Sequence, residues 1–330
     1  MSASLLEIRD VSVSFLSDGG FVSAVSNVTL DVAAGEIIGI VGESGCGKTT
    51  LAMAVMGLLP SSARIEGEIW FRGTNLFGLS ESERRKFRGE QIAMVFQDPL
   101  SSLDPSFSVG SQVAETIRTH RRLRRGDARR QALGLLREVG IPSADVRFDD
   151  PPHKFSGGMR QRVVIAASIA NDPALLLADE PTTALDVTIQ AQILVLLRDL
   201  ATRHNTTIIL IAHDFGVVAE LCDRVAVMYA GQLIEVAPVA NIFEHPLHPY
   251  TKALLAAMPS VERPPGTLQV IQGQVPDLSA PPPGCRFAPR CAYRMDQCQE
   301  TPISVTESPG HEVACWLYPP GMPPVDQTTG

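Results

Sequence analysis

Short apolar runs alternate with longer amphipathic segments through much of the chain. The runs at 35–42 (GEIIGIVG), 175–180 (LLLADE) and 206–214 (TTIILIAHD) are typical of buried strands. Residues 187–204 (VTIQAQILVLLRDLATRH), between the last two runs, predict a helix, and residues 224–236 (RVAVMYAGQLIEV) predict a hairpin. Strands and helices in this order favour an α/β fold with a mostly parallel sheet.

The segments around these runs predict further elements. Residues 5–41 and 66–73 contain alternating apolar and polar positions, which are typical of strands joined by turns. A helix is expected from Lys48 to about Leu59, where a proline follows. Residues 98–170 are richer in charged and helix-forming residues, so they predict a helical insert in the α/β domain.

The composition changes after about Val239, where proline and glycine become frequent and periodicity fades. The segments 259–267 (PSVERPPGT) and 279–284 (SAPPPG) predict linkers. We therefore expect one large domain at 1–240, with the insert inside it, and a small, irregular, cysteine-rich extension at 241–330. The sequence has no internal repeat, which predicts a single catalytic unit.

Charge and hydropathy limit the partners of the chain. The net charge of -8 disfavours nucleic acid, and the one basic run, at 118–130, is typical of a solvated helix face. No stretch reaches the roughly 18 to 20 apolar residues that span a bilayer. The first ten residues lack the basic flank and apolar region of a signal peptide. We therefore expect a cytoplasmic protein that binds no nucleic acid and reaches a membrane only through a partner.

Residues 42–49 (GESGCGKT) match the pattern G-x-x-x-x-G-K-[ST] of a phosphate-binding loop. Its glycines let backbone N–H groups converge on phosphate oxygens, and the following helix points its positive end at the same anion. Lys48 is expected to reach the β- and γ-phosphates of ATP, and Thr49 to bind Mg²⁺. The predicted nucleotide contacts of this segment are Gly42, Ser44, Gly45, Cys46, Gly47, Lys48, Thr49 and Thr50.

The apolar run at 175–180 ends in two acids, Asp179 and Glu180. Buried strands rarely finish on adjacent carboxylates without a cation or a chemical task. Asp179 is expected to hold Mg²⁺ through water, and Glu180 to polarise the water that attacks the γ-phosphate.

Several further motifs resemble those of the nucleotide-binding subunits of ABC transporters. FSGGM at 155–159 resembles the family's signature loop, and Gln97 in VFQDP resembles its Q-loop glutamine. Residues 184–186 resemble the D-loop, His213 in LIAHD the switch histidine, and Phe15 the aromatic residue that stacks on adenine. Each motif is short, but the set together with the phosphate loop is specific.

The resemblance covers residues 5 to about 240 and implies a P-loop ABC ATPase fold with an antiparallel β subdomain. In that family Ser156, Gly157 and Gly158 contact the γ-phosphate bound by a second subunit, so two nucleotides lie between two head-to-tail subunits. The first and fifth residues of the loop differ from the commoner LSGGQ, but the serine and both glycines remain. Backbone N–H groups at a helix start are suited to an anion.

The resemblance also assigns roles around the phosphate. Glu180, Gln97 and His213 act together: Gln97 contacts the metal and the attacking water, and His213 senses the γ-phosphate. Asp186 of the D-loop joins the predicted nucleotide contacts.

HPLHPY at 245–250 and the segment at 84–105 (RRKFRGEQIAMVFQDPLSSLDP) resemble the oligopeptide and dipeptide importer subfamily. The subfamily implies a motor at the cytoplasmic face of the membrane, with two transmembrane permease subunits and an external substrate-binding protein. It also implies a second ABC ATPase subunit, which we expect to be a paralogue. Nickel importers and glutathione importers belong to the same group, so nickel and glutathione remain open as alternative cargoes.

Two other classes of function are less well supported by the sequence. Soluble ABC ATPases of DNA repair carry long insertions, and those of translation carry two ATPase units, and the chain has neither feature. An exporter motor is disfavoured by the HPLHPY segment.

Four cysteines in the extension, Cys285, Cys291, Cys298 and Cys315, are spaced C-x5-C-x6-C-x16-C. In a reduced compartment such a group favours a metal. Zinc sites usually contain a C-x₂₋₄-C pair, which is missing, whereas a [4Fe–4S] cluster tolerates irregular spacing. The CRFAPRC segment resembles an arrangement of the importer subfamily. A [4Fe–4S] cluster is expected, and zinc or free or oxidised thiols remain alternatives.

The other two cysteines lie apart from this group. Cys46 is expected to be passive in the phosphate loop, although alkylation there should block ATP. Cys222 is expected to be a core residue.

Overall fold

The computed structural model describes residues 4–17, 20–258 and 271–319. Its strands are β1 (Ser4–Ser17), β2 (Gly20–Ala33), β3 (Ile37–Val41), β4 (Arg64–Phe71), β5 (Thr74–Asn75), β6 (Ile92–Val95), β7 (Leu175–Asp179), β8 (Thr207–Ala212), β9 (Arg224–Tyr229), β10 (Gln232–Pro238), β11 (Val305–Ser308) and β12 (His311–Val313). Its helices are α1 (Lys48–Met56), α2 (Glu81–Phe87), α3 (Pro99–Ser102), α4 (Val109–His120), α5 (Arg125–Glu138), α6 (Ala144–Arg147), α7 (Gly157–Ile169), α8 (Val187–His204), α9 (Phe215–Leu221), α10 (Val239–Glu244) and α11 (Pro249–Ala256).

The main sheet of the described residues has the strand order β11-β12-β10-β9-β3-β8-β7-β6. The strands β6, β7, β8, β3 and β9 are parallel to one another. Every residue of β3, β7 and β8 is buried, as expected for parallel strands covered on both faces. Parallel neighbours end at the same edge of the sheet, so the loops after β3, β6, β7 and β8 lie side by side.

A smaller antiparallel sheet has the order β2-β1-β4-β5. Strand β1 contributes Leu6, Ile8, Val11 and Val13 to a core that also contains Leu51 of α1. The alternating pattern of residues 5–41 predicted these strands, and the expected antiparallel subdomain is confirmed.

Between β6 and β7 the regular elements are all helical, from α3 to α7. Val113 of α4, Leu136 of α5 and Val163 of α7 are fully buried in one core cluster. The segment between β6 and β7 therefore packs through apolar faces at helical spacing.

Helix α1 ends earlier than its sequence predicted. The prediction continued to about Leu59, but Gly57 takes a left-handed conformation at φ 61° and donates its N–H to Ala54 O over 3.0 Å. Glycine is the residue that most readily adopts this cap, so it ends the helix before the proline is reached.

The C-terminal extension is more regular than expected, because β11 and β12 form a hairpin that joins the main sheet through β10. Glu235 of β10 is buried beneath this hairpin, and its carboxylate accepts from His311 Nε2 at 2.8 Å. It also accepts from the N–H groups of Leu247 (2.7 Å) and His248 (2.9 Å). One buried carboxylate thus holds both the hairpin and the HPLHPY segment.

The predicted linker at 259–267 lies outside the described residues. In the described ranges, no helix has the length and apolar character needed to cross a membrane.

Candidate ATP-binding and hydrolysis site

The phosphate loop connects the end of β3 to the start of α1. Its conformation requires glycine at several positions: Gly45 has φ 77° and Gly47 has φ 104°. A Cβ on Gly42 would lie 2.0 Å from Met228 O, and one on Gly47 would lie 2.3 Å from Ala24 O. The loop therefore fits against neighbouring backbone only because these side chains are missing.

Lys48 begins α1, and its ammonium is buried inside the loop. Its Nζ donates to Gly42 O over 2.8 Å and to Glu43 O over 3.0 Å. The ammonium and the N-terminus of α1 both favour an anion here, as the sequence predicted for a phosphate group.

Thr49 and Asp179, the two predicted magnesium ligands, lie together. Thr49 Oγ1 donates to Asp179 Oδ1 over 3.2 Å, although 130 residues separate them. The pKa of Asp179 is raised chiefly by burial and also by the Glu180 charge, while the Thr49 hydrogen bond and Lys48 oppose this rise. A divalent cation would favour the ionised carboxylate, so the pair suits Mg²⁺.

Glu180 is the point at which the other predicted catalytic residues converge. Its Oε2 accepts from Gln97 Nε2 at 3.1 Å and lies 3.3 Å from His213 Nδ1. Glu180 adopts φ 45°, and its N–H donates to Ile211 O over 3.0 Å. The backbone bond to β8 thus fixes the position of Glu180 at the end of β7. Gln97 follows β6 and His213 follows β8, the two strands that flank β7.

Thr183 is a site residue that the sequence reasoning missed. Its Oγ1 donates to Glu180 Oε2 over 2.8 Å, the shortest contact of that carboxylate oxygen. A hydroxyl residue three positions after the acid, in the turn Glu180-Pro181-Thr182-Thr183, was the available signal.

The signature segment starts helix α7. Ser156 is the N-cap, and its Oγ accepts from Met159 N at 3.3 Å. A Cβ on Gly158 would lie 2.6 Å from Ile189 Cγ2, so this glycine allows α7 to approach the start of α8. Gly157 lines a groove together with Gln97. Among the described residues, Ser156 is hydrogen-bonded to Met159 N and Arg160 N, both in the first turn of α7.

The D-loop lies between Glu180 and α8. Ala184 has φ 64°, and Asp186 caps α8 by accepting from Ile189 N at 3.0 Å. Ala184 and Leu185 line the same groove as Gly157. The structure therefore gives Asp186 a capping role and places the D-loop beside the signature segment.

Phe15, the expected adenine-stacking residue, lies near the end of β1 and packs partly against the core of the small sheet. The neighbouring ring of Phe21 is more exposed, and the Arg64 guanidinium lies 4.6 Å from its centroid. Adenine stacking by Phe15 stays a prediction.

Cys46 and Cys222 are both buried. Burial raises the pKa of the Cys46 thiol, and Lys48 partly opposes that rise. Burial, together with the Asp223 charge, raises the pKa of Cys222 to about 12. Cys222 belongs to the main core cluster, as predicted.

The four cysteines of the extension do not form a closed metal site. Among residues 4–17, 20–258 and 271–319, no group of three or more His, Cys, Asp or Glu side chains is placed to hold a metal ion. Burial raises the pKa of Cys285, Cys291 and Cys315, the last to about 12, and the charges of neighbouring thiols add to each rise.

Backbone N–H groups point at these sulfur atoms. Tyr293 N donates to Cys291 Sγ over 3.4 Å, and Met295 N donates to Cys298 Sγ over 3.5 Å. Such donors stabilise a thiolate more than a thiol. At Cys291 this effect opposes burial, which is larger and keeps the pKa of the thiol raised.

Comparison with known proteins identifies the family. The family model of the ABC transporter matches residues 25–183, and the model of the oligopeptide/dipeptide transporter C-terminal region matches residues 234–298. A dipeptide transport ATP-binding protein of Bacillus subtilis is 47% identical over 316 residues, covering 95% of this chain and 94% of the relative. An oligopeptide transport ATP-binding protein of the same organism is 49% identical over 327 residues, covering 98% and 91%.

A solved structure agrees with these relatives. The dimeric post-hydrolysis state of an ATP-binding cassette bound to ADP and Pi superimposes with a TM-score of 0.64 at 27% identity, covering 71% of this chain and 98% of that one. The chain belongs to the ABC transporter family of ATP-binding proteins. It is an ABC-type ATPase, and its C-terminal region is of the oligopeptide/dipeptide transporter kind. The predicted fold class and enzyme class are confirmed.

Proposed function

We propose that this chain is the ATP-hydrolysing motor subunit of a membrane importer of dipeptides and oligopeptides. The observation that carries the proposal is the convergence of Gln97, Thr183 and His213 on Glu180, beside the Thr49–Asp179 pair. The relatives named for dipeptide and oligopeptide transport support the cargo class.

The arrangement accounts for the chemistry of hydrolysis. Thr49, Asp179 and Gln97 are the residues that would hold Mg²⁺, which would neutralise charge on the phosphates, and Lys48 with the loop N–H groups binds the phosphates. Glu180 polarises the attacking water, and Gln97 orients that water. His213 contacts the γ-phosphate and is aligned by its neighbour Glu180.

The signature segment completes the site of a second subunit in this proposal. Ser156, Gly157 and Gly158 present helix N–H groups beside the groove formed with the D-loop, and the similar cassette is described as dimeric. Each nucleotide then lies between the phosphate loop of one subunit and the signature of the other. The second subunit is a paralogue, which makes the motor a heterodimer.

The motor acts at the cytoplasmic face of the membrane, bound to two permease subunits that receive peptide from an external binding protein. Residues 1–240 form the nucleotide-binding domain, with a helical insert at about 98–170. Residues 241–330 form the C-terminal extension. Phe15 stacks on the adenine ring.

The cargo is tested by uptake of labelled dipeptides and oligopeptides in cells that lack this subunit. The cells are complemented with the native chain, with Glu180→Gln or with an empty vector. Uptake restored only by the native chain supports a peptide importer driven by this site. Equal uptake in all three strains contradicts the peptide cargo and makes nickel and glutathione the next substrates to test.

We further propose that the four thiols of the extension would hold a [4Fe–4S] cluster in a structural or regulatory role. The described residues contain no preformed metal site, so the four thiols would have to come together as the cluster binds. The N–H donors on Cys291 and Cys298 and the mutual influence of the thiols support this ligand set. Anaerobic purification with iron, sulfide and zinc analysis tests it: the cluster predicts a coloured protein with about four iron and four sulfide per chain. A colourless protein with about one zinc per chain establishes zinc instead, and the absence of both metals means free or oxidised thiols.

A further inference from the structure

Glu43, the second residue of the phosphate loop, is contacted by two residues of the C-terminal extension. Its backbone N–H donates to Tyr250 Oη over 3.0 Å. Its carboxylate accepts from Arg290 Nη1 at 2.7 Å and from Arg290 Nη2 at 3.1 Å. Both contacts span more than 200 positions of the chain, so they depend on how the extension packs on the ATPase fold.

Arg290 is a fixed anchor for this contact. Its side chain is only 4% exposed. Beyond Glu43, it donates to Gln272 O over 3.0 Å, to Ile271 O over 3.3 Å and to Tyr229 Oη over 3.3 Å. A guanidinium held on its other donors can fix a carboxylate in one place through two parallel hydrogen bonds.

Tyr250 is held equally firmly. Its side chain is fully buried, and its ring lies 4.5 Å from the ring of Tyr229 and 5.4 Å from that of Phe287. The hydroxyl is therefore presented to Glu43 N–H by a packed aromatic cluster rather than by a free side chain.

Glu43, which Tyr250 and Arg290 hold in place, is itself bonded to Lys48, the lysine expected to bind phosphate. Its carbonyl oxygen accepts from Lys48 Nζ at 3.0 Å, so its N–H, carboxylate and carbonyl are all bonded. A loop that is held near its binding geometry loses less conformational entropy when the nucleotide arrives.

We propose that Tyr250 and Arg290 are positioning residues that hold the phosphate loop through Glu43 and so increase its affinity for ATP. The inference rests on the proposed ATP site. It makes the C-terminal extension part of the nucleotide-binding apparatus, in addition to any role of its cysteines.

The test measures binding of a fluorescent ATP analogue with Mg²⁺ to the full chain and its variants. Arg290→Gln is expected to raise the Kd roughly tenfold, the size of a lost hydrogen bond to a charged group. Tyr250→Phe keeps the ring packing, removes the acceptor of Glu43 N–H and is expected to raise the Kd by roughly threefold. Arg224→Gln breaks a comparable half-buried pair, in which Arg224 Nη1 lies 2.9 Å from Glu36 Oε1, and serves as the matched control.

A double-variant cycle separates positioning from mere docking of the extension. If Arg290 acts through Glu43, the Glu43→Gln/Arg290→Gln chain binds no more weakly than Arg290→Gln alone. If the effects of the two changes multiply, or if Arg290→Gln binds like the Arg224→Gln control, the inference is overturned. Should Arg290→Gln fail to fold, Glu43→Gln and Tyr250→Phe are each compared with the Arg224→Gln control, because they remove the carboxylate and the hydroxyl side of the same contact. Binding like the control's in both variants overturns the inference.

The proposed ATP site has a separate readout in the same experiment. Lys48→Ala is expected to abolish binding of the analogue. A native chain that binds no analogue, or a Lys48→Ala chain that binds it normally, contradicts the proposed site itself. If the native chain binds the analogue and Arg290→Gln leaves the Kd unchanged, only the positioning role is contradicted.

Discussion

Gln97 and Glu180 are 83 positions apart in the chain, yet Gln97 Nε2 donates to Glu180 Oε2 over 3.1 Å. The two residues follow β6 and β7, which are parallel neighbours and therefore end at the same edge of the sheet. The contact joins the residue expected to polarise water to the residue expected to orient it.

Glu180→Gln is expected to lower the ATPase rate by at least roughly 100-fold, because an amide cannot accept the proton of the attacking water. ATP binding should persist, since Lys48 and the loop remain. The measurement is phosphate release at saturating ATP, together with binding of a fluorescent analogue. Glu220→Gln, at an exposed position of α9, is the control; a Glu180→Gln enzyme with the control's rate would contradict the assignment.

Thr183→Val should lower the ATPase rate severalfold without preventing ATP binding. The change removes the 2.8 Å hydrogen bond to Glu180 Oε2 and keeps the volume of the side chain. The expected loss is smaller than for Glu180→Gln because Gln97 still donates to the same oxygen. Thr183→Ser restores the hydroxyl and is expected to recover most of the rate, whereas equal rates for the valine and serine variants would argue against this role.

Gly47→Ala is expected to abolish ATP binding, whereas Gly45→Ala should weaken it less. Both glycines have positive φ, which costs a residue with a Cβ about 1 kcal/mol or more. At Gly47 the added Cβ would also lie 2.3 Å from Ala24 O, while at Gly45 no heavy atom lies within 4 Å. Binding and thermal unfolding of the two variants measure the difference, and identical behaviour would show that the close approach is unimportant.

The Cys46 thiol is expected to be alkylated much more slowly than an exposed cysteine at pH 7 to 8. It is buried, and its raised pKa leaves little thiolate, the reactive form, at that pH. Mass spectrometry of the peptide that contains Cys46, after timed treatment with iodoacetamide, gives the rate. Denaturant should remove the protection; equal rates in folded and unfolded protein would contradict the buried placement.

Glu235→Gln is expected to lower the free energy of unfolding at pH 7 by about 1 to 3 kcal/mol. Burial alone would raise the pKa of Glu235, but the hydrogen bonds from His311 and from Leu247 and His248 N–H hold it below its ordinary value of 4.5.

Because the folded pKa of Glu235 is lowered, its stabilising effect is present above pH 4.5 and is lost as the pH falls through the folded value. The difference between the native chain and Glu235→Gln should therefore narrow in acid. Urea unfolding between pH 3 and 7 measures it, with Glu312→Gln, an exposed change on β12, as the control. A gap that stayed constant to pH 3 would contradict the lowered pKa.

The sequence by itself determined the elements that carry the chemistry. Apolar runs predicted β3, β7 and β8, and the residues at or just after the ends of these strands were interpreted as the phosphate loop, the acidic pair and the switch histidine. Local patterns are enough to predict these elements, because a buried strand appears as a short run of apolar residues and a phosphate loop as a fixed spacing of glycines and lysine.

Only the tertiary structure decided which distant residues meet. The hairpin β11–β12 on β10 and the contacts of Glu43 with Tyr250 and Arg290 had no decisive signal in the sequence. A salt bridge or hydrogen bond between residues 200 positions apart depends on the packing of whole elements, and no local spacing encodes that packing. For this reason the sheet edge that carries the candidate site could be predicted from the sequence, whereas the contacts between the C-terminal extension and the phosphate loop could not.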